Sequence, residues 1–168
     1  KIMYGHCFVV YAFSELAKAT GETAWLDTAR STFDLIQTKA ADRSMGGYWE
    51  FFERDWSHSP TGRGGGDRKS LDVHMHLMEA FTNLYSAGGD PAHAASTRTL
   101  IELITQRLLH PSHGTGIAQF SADFTPLRAI LFDNVWGSDR DSDEEGGRPL
   151  DNTSYGHNVE LGWLLRWS

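Results

Sequence analysis

Residues 71–91 read LDVHMHLMEAFTNLYSAGGDP, and how that run is parsed decides the fold. Leu71, His74, Leu77, Met78, Phe81 and Leu84 recur every three or four residues, the period of a helix with one buried face, which predicts a helix over about 69–86. Gly88 and Gly89 end it. Asp90 with Pro91 directly after it is an N-cap followed by proline at the first helical position, so a new helix starts at once and runs to about Leu109. Two helices joined by so short a turn fold back on each other as an αα-hairpin.

The same unit appears upstream. Tyr4, Phe8, Tyr11, Ala12 and Leu16 keep helical spacing from Met3 to Leu16, and Gly21 supplies a stop; Trp25, Ala29, Phe33 and Ile36 repeat the spacing before the polar stretch Asp42 to Ser44. A fifth helix is predicted from about Thr153, where Asp151, Asn152, Thr153 and Ser154 all offer caps. Between the helices, Gly46 to Phe52 is aromatic and flanked by glycine, which reads as a short strand or β-turn. Ser57 to Asp67 is a glycine-rich loop, and Pro111 to Leu150 is irregular, with an alternating piece at Ile117 to Phe124 and an acidic loop at Asp139 to Glu145. Tyr4-Gly5-His6, Leu71 to His76 and Tyr155-Gly156-His157 open successive units, so the chain reads as a helical-hairpin repeat that must stack to bury its faces. If the units close into a ring, one helix of each pair faces inward. His6, Asp72, His76, His157 and Glu160 then converge at the mouth of the central cavity.

Composition narrows what such a cavity receives. The 168 residues are 40% hydrophobic, enough for one domain spanning 1–168, and carry a formal charge of −7. An acidic chain without clustered Lys and Arg argues against nucleic acid or an anionic membrane as partner, and favours a neutral small substrate. No run approaches the roughly 18 apolar residues of a membrane span. The lone cysteine, Cys7, cannot form an intrachain disulfide, so cytoplasm is the default expectation. Lys1 at the start, and an apolar helical pattern still running at Ser168, read as cut ends.

The chemistry-bearing residues lie on the predicted inner helices. Asp72 and His76 are four apart and Glu79 three further, which puts three polar groups on one face. His157 and Glu160 form a second His-x-x-Glu pair. Imidazole titrates near neutrality and a carboxylate orients it, so two such pairs imply acid-base work, for example removal of a proton alpha to a carbonyl. The alternatives are surface pairs without chemistry, or a metal site built from Asp72, His76 and Glu79. No zinc-type motif or cysteine cluster accompanies them, and the expectation is no metal and no cofactor. His74 lies about 200° round the helix from His76 and reads as packed. Trp56 and Trp136, each in a polar connection, are the candidates for stacking on a sugar ring.

Four motifs carry a resemblance: Tyr4-Gly5-His6-Cys7-Phe8, Gly46-Gly47-Tyr48 through Trp56, Lys69 through Ala80 with His74-Met75-His76, and Ser154-Tyr155-Gly156-His157-Asn158-Val159-Glu160. Together they are similar to the N-acylglucosamine 2-epimerase superfamily, most of all to its cellobiose 2-epimerases. The resemblance implies an all-α fold, an (α/α)6 barrel, present here as a partial barrel of about five helices with short β connections. It implies a cofactor-independent sugar 2-epimerase working through an enediolate on a mono- or disaccharide, or else an aldose-ketose isomerase of the mannose type. A glycoside or unsaturated-uronyl hydrolase on a similar barrel is the more distant alternative. By position His157 resembles a catalytic acid-base histidine, Glu160 the glutamate that supports it, His76 a histidine assisting ring opening and substrate binding, and Tyr4 an inner-helix tyrosine near the site. Asp72 stands where cellobiose 2-epimerases usually have asparagine, and it joins the substrate-binding expectation with Trp56 and Trp136. The stretch between His76 and His157 is longer than in those enzymes. The family's N-terminal arginine and second acid-base histidine have no counterpart, so about half a barrel is expected to be missing and a homo-oligomer is a possible assembly.

Overall fold

The computed structural model describes residues 1–59, 66–127 and 153–168. Helix α1 spans Met3–Thr20, α2 Thr23–Lys39, α3 Leu71–Gly88, α4 Pro91–Leu103 and α5 Tyr155–Trp167, with two short strands, β1 Arg68–Ser70 and β2 Gln119–Ser121. Each boundary has a local cause. Gly21 and Gly89 adopt left-handed φ of 75° and 68° and donate back to Ala17 and Tyr85, closing α1 and α3. Ser70, Asp90 and Ser154 cap α3, α4 and α5 by accepting the N–H groups of Val73, Ala92 and His157. The expected continuation of α4 to Leu109 is there, but wound as a π-helical turn over Ile104–Leu108.

Helix α3 sits between α1 and α5 and is backed by α4, while α1 is backed by α2. That surroundings explain its composition: residues on all its sides are buried, among them Val73, Met75, Leu77, Met78, Phe81 and Leu84, as expected of a helix with no solvent face along most of its length. The three helices that open with the repeated motif are thus neighbours, and their N-terminal turns share one end of the bundle.

Lys69, read from the sequence as helix, instead lies in β1, which pairs antiparallel with β2 in the register Lys69 to Phe120. Its side chain is fully buried. Nζ donates to Asp42 Oδ2 at 2.6 Å and to the carbonyls of Gly46 and Ala122, both at 2.8 Å, so all three ammonium hydrogens are used. The rings of Trp49 and Phe124 lie 4.7 and 4.4 Å from the charge. Burial works against the Asp42 carboxylate, yet Lys69, Ser44 and Met45 hold it well below the usual carboxylate range. This buried pair ties the connection after α2 to the hairpin around β2. Gly46 to Phe52, expected as a strand or turn, forms isolated bridges: Ala41 with Tyr48 and Ile2 with Phe51.

Candidate functional site

Asp72 occupies the first turn of α3, where exposed backbone N–H groups favour a carboxylate. One turn on, the His76 ring is almost fully covered, with 5% of its side chain exposed. Its Nδ1 meets Glu79 Oε2 at 2.9 Å and its Nε2 lies 3.4 Å from Asp72 Oδ1. Both neighbours accept, so both nitrogens carry hydrogen and the ring is an imidazolium. Burial alone would lower its pKa, but Asp72 and Glu79 override that and push it up to about 9. From α1, the Tyr4 ring meets His76 edge-on at 5.2 Å and Phe8 closes the other side at 5.0 Å. Burial, with Asp72 and Glu160 adding to it, raises the Tyr4 hydroxyl above its ordinary value, so it remains a donor at neutral pH.

Helix α5 brings His157 to the same carboxylate: its Nε2 lies 3.3 Å from Asp72 Oδ1. A carboxylate so placed favours hydrogen on Nε2 and turns Nδ1 away from Asp72. Asp72 Oδ1 is shielded from solvent and neither imidazole is aligned for a full hydrogen bond with it, so the oxygen is held by charge between two rings. His157 is 37% exposed, against 5% for His76. Of the two imidazoles on Asp72, His157 is the one a solute can reach.

The pairing differs from the sequence expectation in one respect. His157 was expected to pair with Glu160 three residues on; its carboxylate is Asp72, on another helix. Glu160 groups instead with His76 and Glu79, their ligand atoms lying within 4.8 Å of one another. A nitrogen and two carboxylates so placed form a donor set suited to a divalent cation, with Glu160 replacing the expected Asp72. A cation there would have to displace the imidazolium proton.

His6 does not join the cluster. Its Nδ1 donates to the Ile2 carbonyl at 2.9 Å and its ring packs against Trp56 at 5.5 Å. Trp56 holds a left-handed φ of 72° and packs on Phe52, with the Lys1 ammonium 4.3 Å from its ring; no ring, hydrogen-bond or ion-pair contact joins it to the acid-base groups among the described residues. Trp136 lies outside the described residues. His74 is packed as expected: Nδ1 donates to Ser70 O at 2.7 Å, Nε2 accepts the Tyr48 N–H at 3.0 Å, and burial lowers its pKa to about 4. The group the sequence reading overlooked is Asn158. Its Oδ1 accepts the Gly116 N–H at 2.6 Å, and its place beside His157 was the only available hint.

The sequence model of the N-acylglucosamine 2-epimerase (GlcNAc 2-epimerase) family matches residues 1–168. A cellobiose 2-epimerase of Bacteroides fragilis is 30% identical over 98% of this chain, and one of Dictyoglomus turgidum is 25% identical over the same share. The match covers 38% and 37% of those proteins, so the chain spans well under half the length of the curated relatives it matches. Among solved structures, the cellobiose 2-epimerase of Spirochaeta thermophila superposes with a TM-score of 0.78 at 29% identity, over 99% of this chain and 37% of that one. A D-mannose isomerase shares the fold, with a TM-score of 0.64 at 20% identity over 74% of this chain and 31% of that one. The helices of this chain are part of an (α/α)6 barrel.

Proposed function

The chain belongs to the N-acylglucosamine 2-epimerase family, and from that premise we propose that the protein carrying it is a sugar 2-epimerase in which His157 moves the proton at C2 of an open-chain mono- or disaccharide. The observation that supports this most is the continuous line His157, Asp72, His76, Glu79 across two helices, with the accessible imidazole at its open end. Asp72 fixes the His157 ring with Nε2–H toward the carboxylate, which leaves Nδ1 to take the C2 proton. Removal of that proton puts negative charge on the C1 oxygen of an enediolate, for which the Tyr4 hydroxyl is the donor at hand and the charged His76 ring a nearby positive field. His76, with both nitrogens engaged by carboxylates, acts here as a fixed positive charge and as the anchor of Asp72. Glu160 contributes through the His76 and Glu79 side of the cluster, and Trp56, outside that cluster, stays a candidate stacking platform for the sugar ring.

Protonation of the enediolate at C2 from the face opposite His157, by a second acid that exchanges with solvent, gives the epimer, whereas protonation at C1 gives the ketose. Incubation of the intact protein with glucose, mannose, cellobiose and N-acetylglucosamine in deuterated water, read by NMR, separates these outcomes. A C2 epimer carrying deuterium at C2 is expected; a ketose product would assign the isomerase reaction, and no exchange with any of the four would overturn the reading.

A further inference from the structure

His157 and Asp72 face each other across the gap between α5 and α3, so their separation depends on what spans it. The segment 116–118 lies in that gap. At its Ala118 end, the carbonyl accepts the Leu71 N–H at 3.1 Å, one residue before Asp72. At its Gly116 end, both backbone groups are held from the α5 side. The Gly116 N–H donates to Asn158 Oδ1 at 2.6 Å, and the Gly116 carbonyl accepts the Thr153 hydroxyl at 2.7 Å. The Asn158 amide nitrogen then donates to Thr153 Oγ1 at 2.6 Å and to the Ser154 carbonyl at 2.7 Å. Because a backbone N–H can only donate, the orientation of the Asn158 amide is unambiguous. A Cβ on residue 116 would overlap the buried Leu71 side chain, so glycine is what lets this segment lie against the start of α3.

We propose that Asn158, clamped on Gly116 with Thr153, is a positioning residue that sets His157 against Asp72. The inference deepens the epimerase reading and rests on it for its kinetic arm only. Asn158→Asp is nearly isosteric and keeps an acceptor for Gly116, but turns a donor into a second oxygen facing the Ser154 carbonyl. Thr153→Val removes only the hydroxyl, and Thr153→Ser restores it.

The test is a double-mutant cycle in the intact protein, with folding of each variant checked by circular dichroism. If Asn158 acts through the Asp72 contact, Asn158→Asp lowers kcat by roughly 10-fold or more with little change in KM, and costs little further once Asp72→Asn is present. Thr153→Val shows a smaller loss of the same kind, and Thr153→Ser recovers it. Fully additive losses from Asn158→Asp and Asp72→Asn would overturn the proposal. Should Asn158→Asp fail to fold, Thr153→Val in the same cycle decides. A second readout is independent of turnover: the NMR chemical shifts of the His157 ring respond to Asp72→Asn in the parent and cease to do so in the Thr153→Val or Asn158→Asp background. An undiminished response there rejects the clamp even if the protein proves inactive. Absence of C2 exchange with this response still lost would reject the epimerase reading and leave the clamp standing.

Discussion

His74 and His76 are two residues apart on one helix and experience opposite electrostatic surroundings. His74 has one backbone carbonyl and no carboxylate within reach, and burial takes it down to about 4; His76 has two carboxylates and is pushed up to about 9. Their contributions to stability therefore run in opposite directions with pH. His74 is neutral when folded and its contribution is full above its unfolded value near 6.5, fading as pH falls toward about 4. The His76 contribution is full below about 6.5 and is lost as pH rises through about 9. Urea unfolding across this range should show a shallower alkaline decline for His76→Gln than for the parent; parallel curves would contradict the ion pairing. His74→Ala removes a packed ring and leaves the Tyr48 N–H buried without its acceptor, a loss of about 2–5 kcal/mol read as a lower urea midpoint. Its effect on turnover should be small beside its effect on stability, the reverse of the expectation for His157.

At the scale of elements, most helix positions were legible because their starts and stops are local events: Gly21 and Gly89 as left-handed ends, Asp90 and Ser154 as caps. Two features were not legible, for different reasons. Strand β1 is three residues long and merges into the cap of α3, so periodicity cannot separate Lys69 from the helix that follows. The partner of His157 could not be read either, because helical spacing favours Glu160 and only the docking of α5 on α3 brings Asp72 closer. Lys69 shows what such misreading conceals. Lys69→Met would leave the Asp42 carboxylate buried without its cation, and thermal unfolding should show a loss of about 3–5 kcal/mol. A variant as stable as the parent would mean the pair is replaceable by apolar packing.

For the molecule as a whole, the site is an arrangement of helix N-terminal turns, which is why the sequence supplied its members before it supplied their contacts. His6, Asp72, His76, His157 and Glu160 were anticipated at one end of the bundle from the repeated openings of three helices; the described structure links all but His6, and adds Tyr4, through ring, ion-pair and donor-set contacts. No described helix is long and apolar enough to cross a membrane. Tyr155, Val159, Trp163 and Trp167 form an exposed stripe along α5, whereas Leu161 and Leu164 face inward. Trp163→Ser should accordingly change the unfolding midpoint little, while Leu164→Ala should lower it by about 2–5 kcal/mol equivalent. In the proposed reaction His157, poised by Asp72, exchanges the C2 proton. The measurement that reaches it most directly is deuterium incorporation at C2 of the active sugar by the intact protein and by its His157→Ala variant, with folding of both checked. The account predicts that exchange falls by about 100-fold or more in the folded variant; near-parental exchange by folded His157→Ala would contradict it.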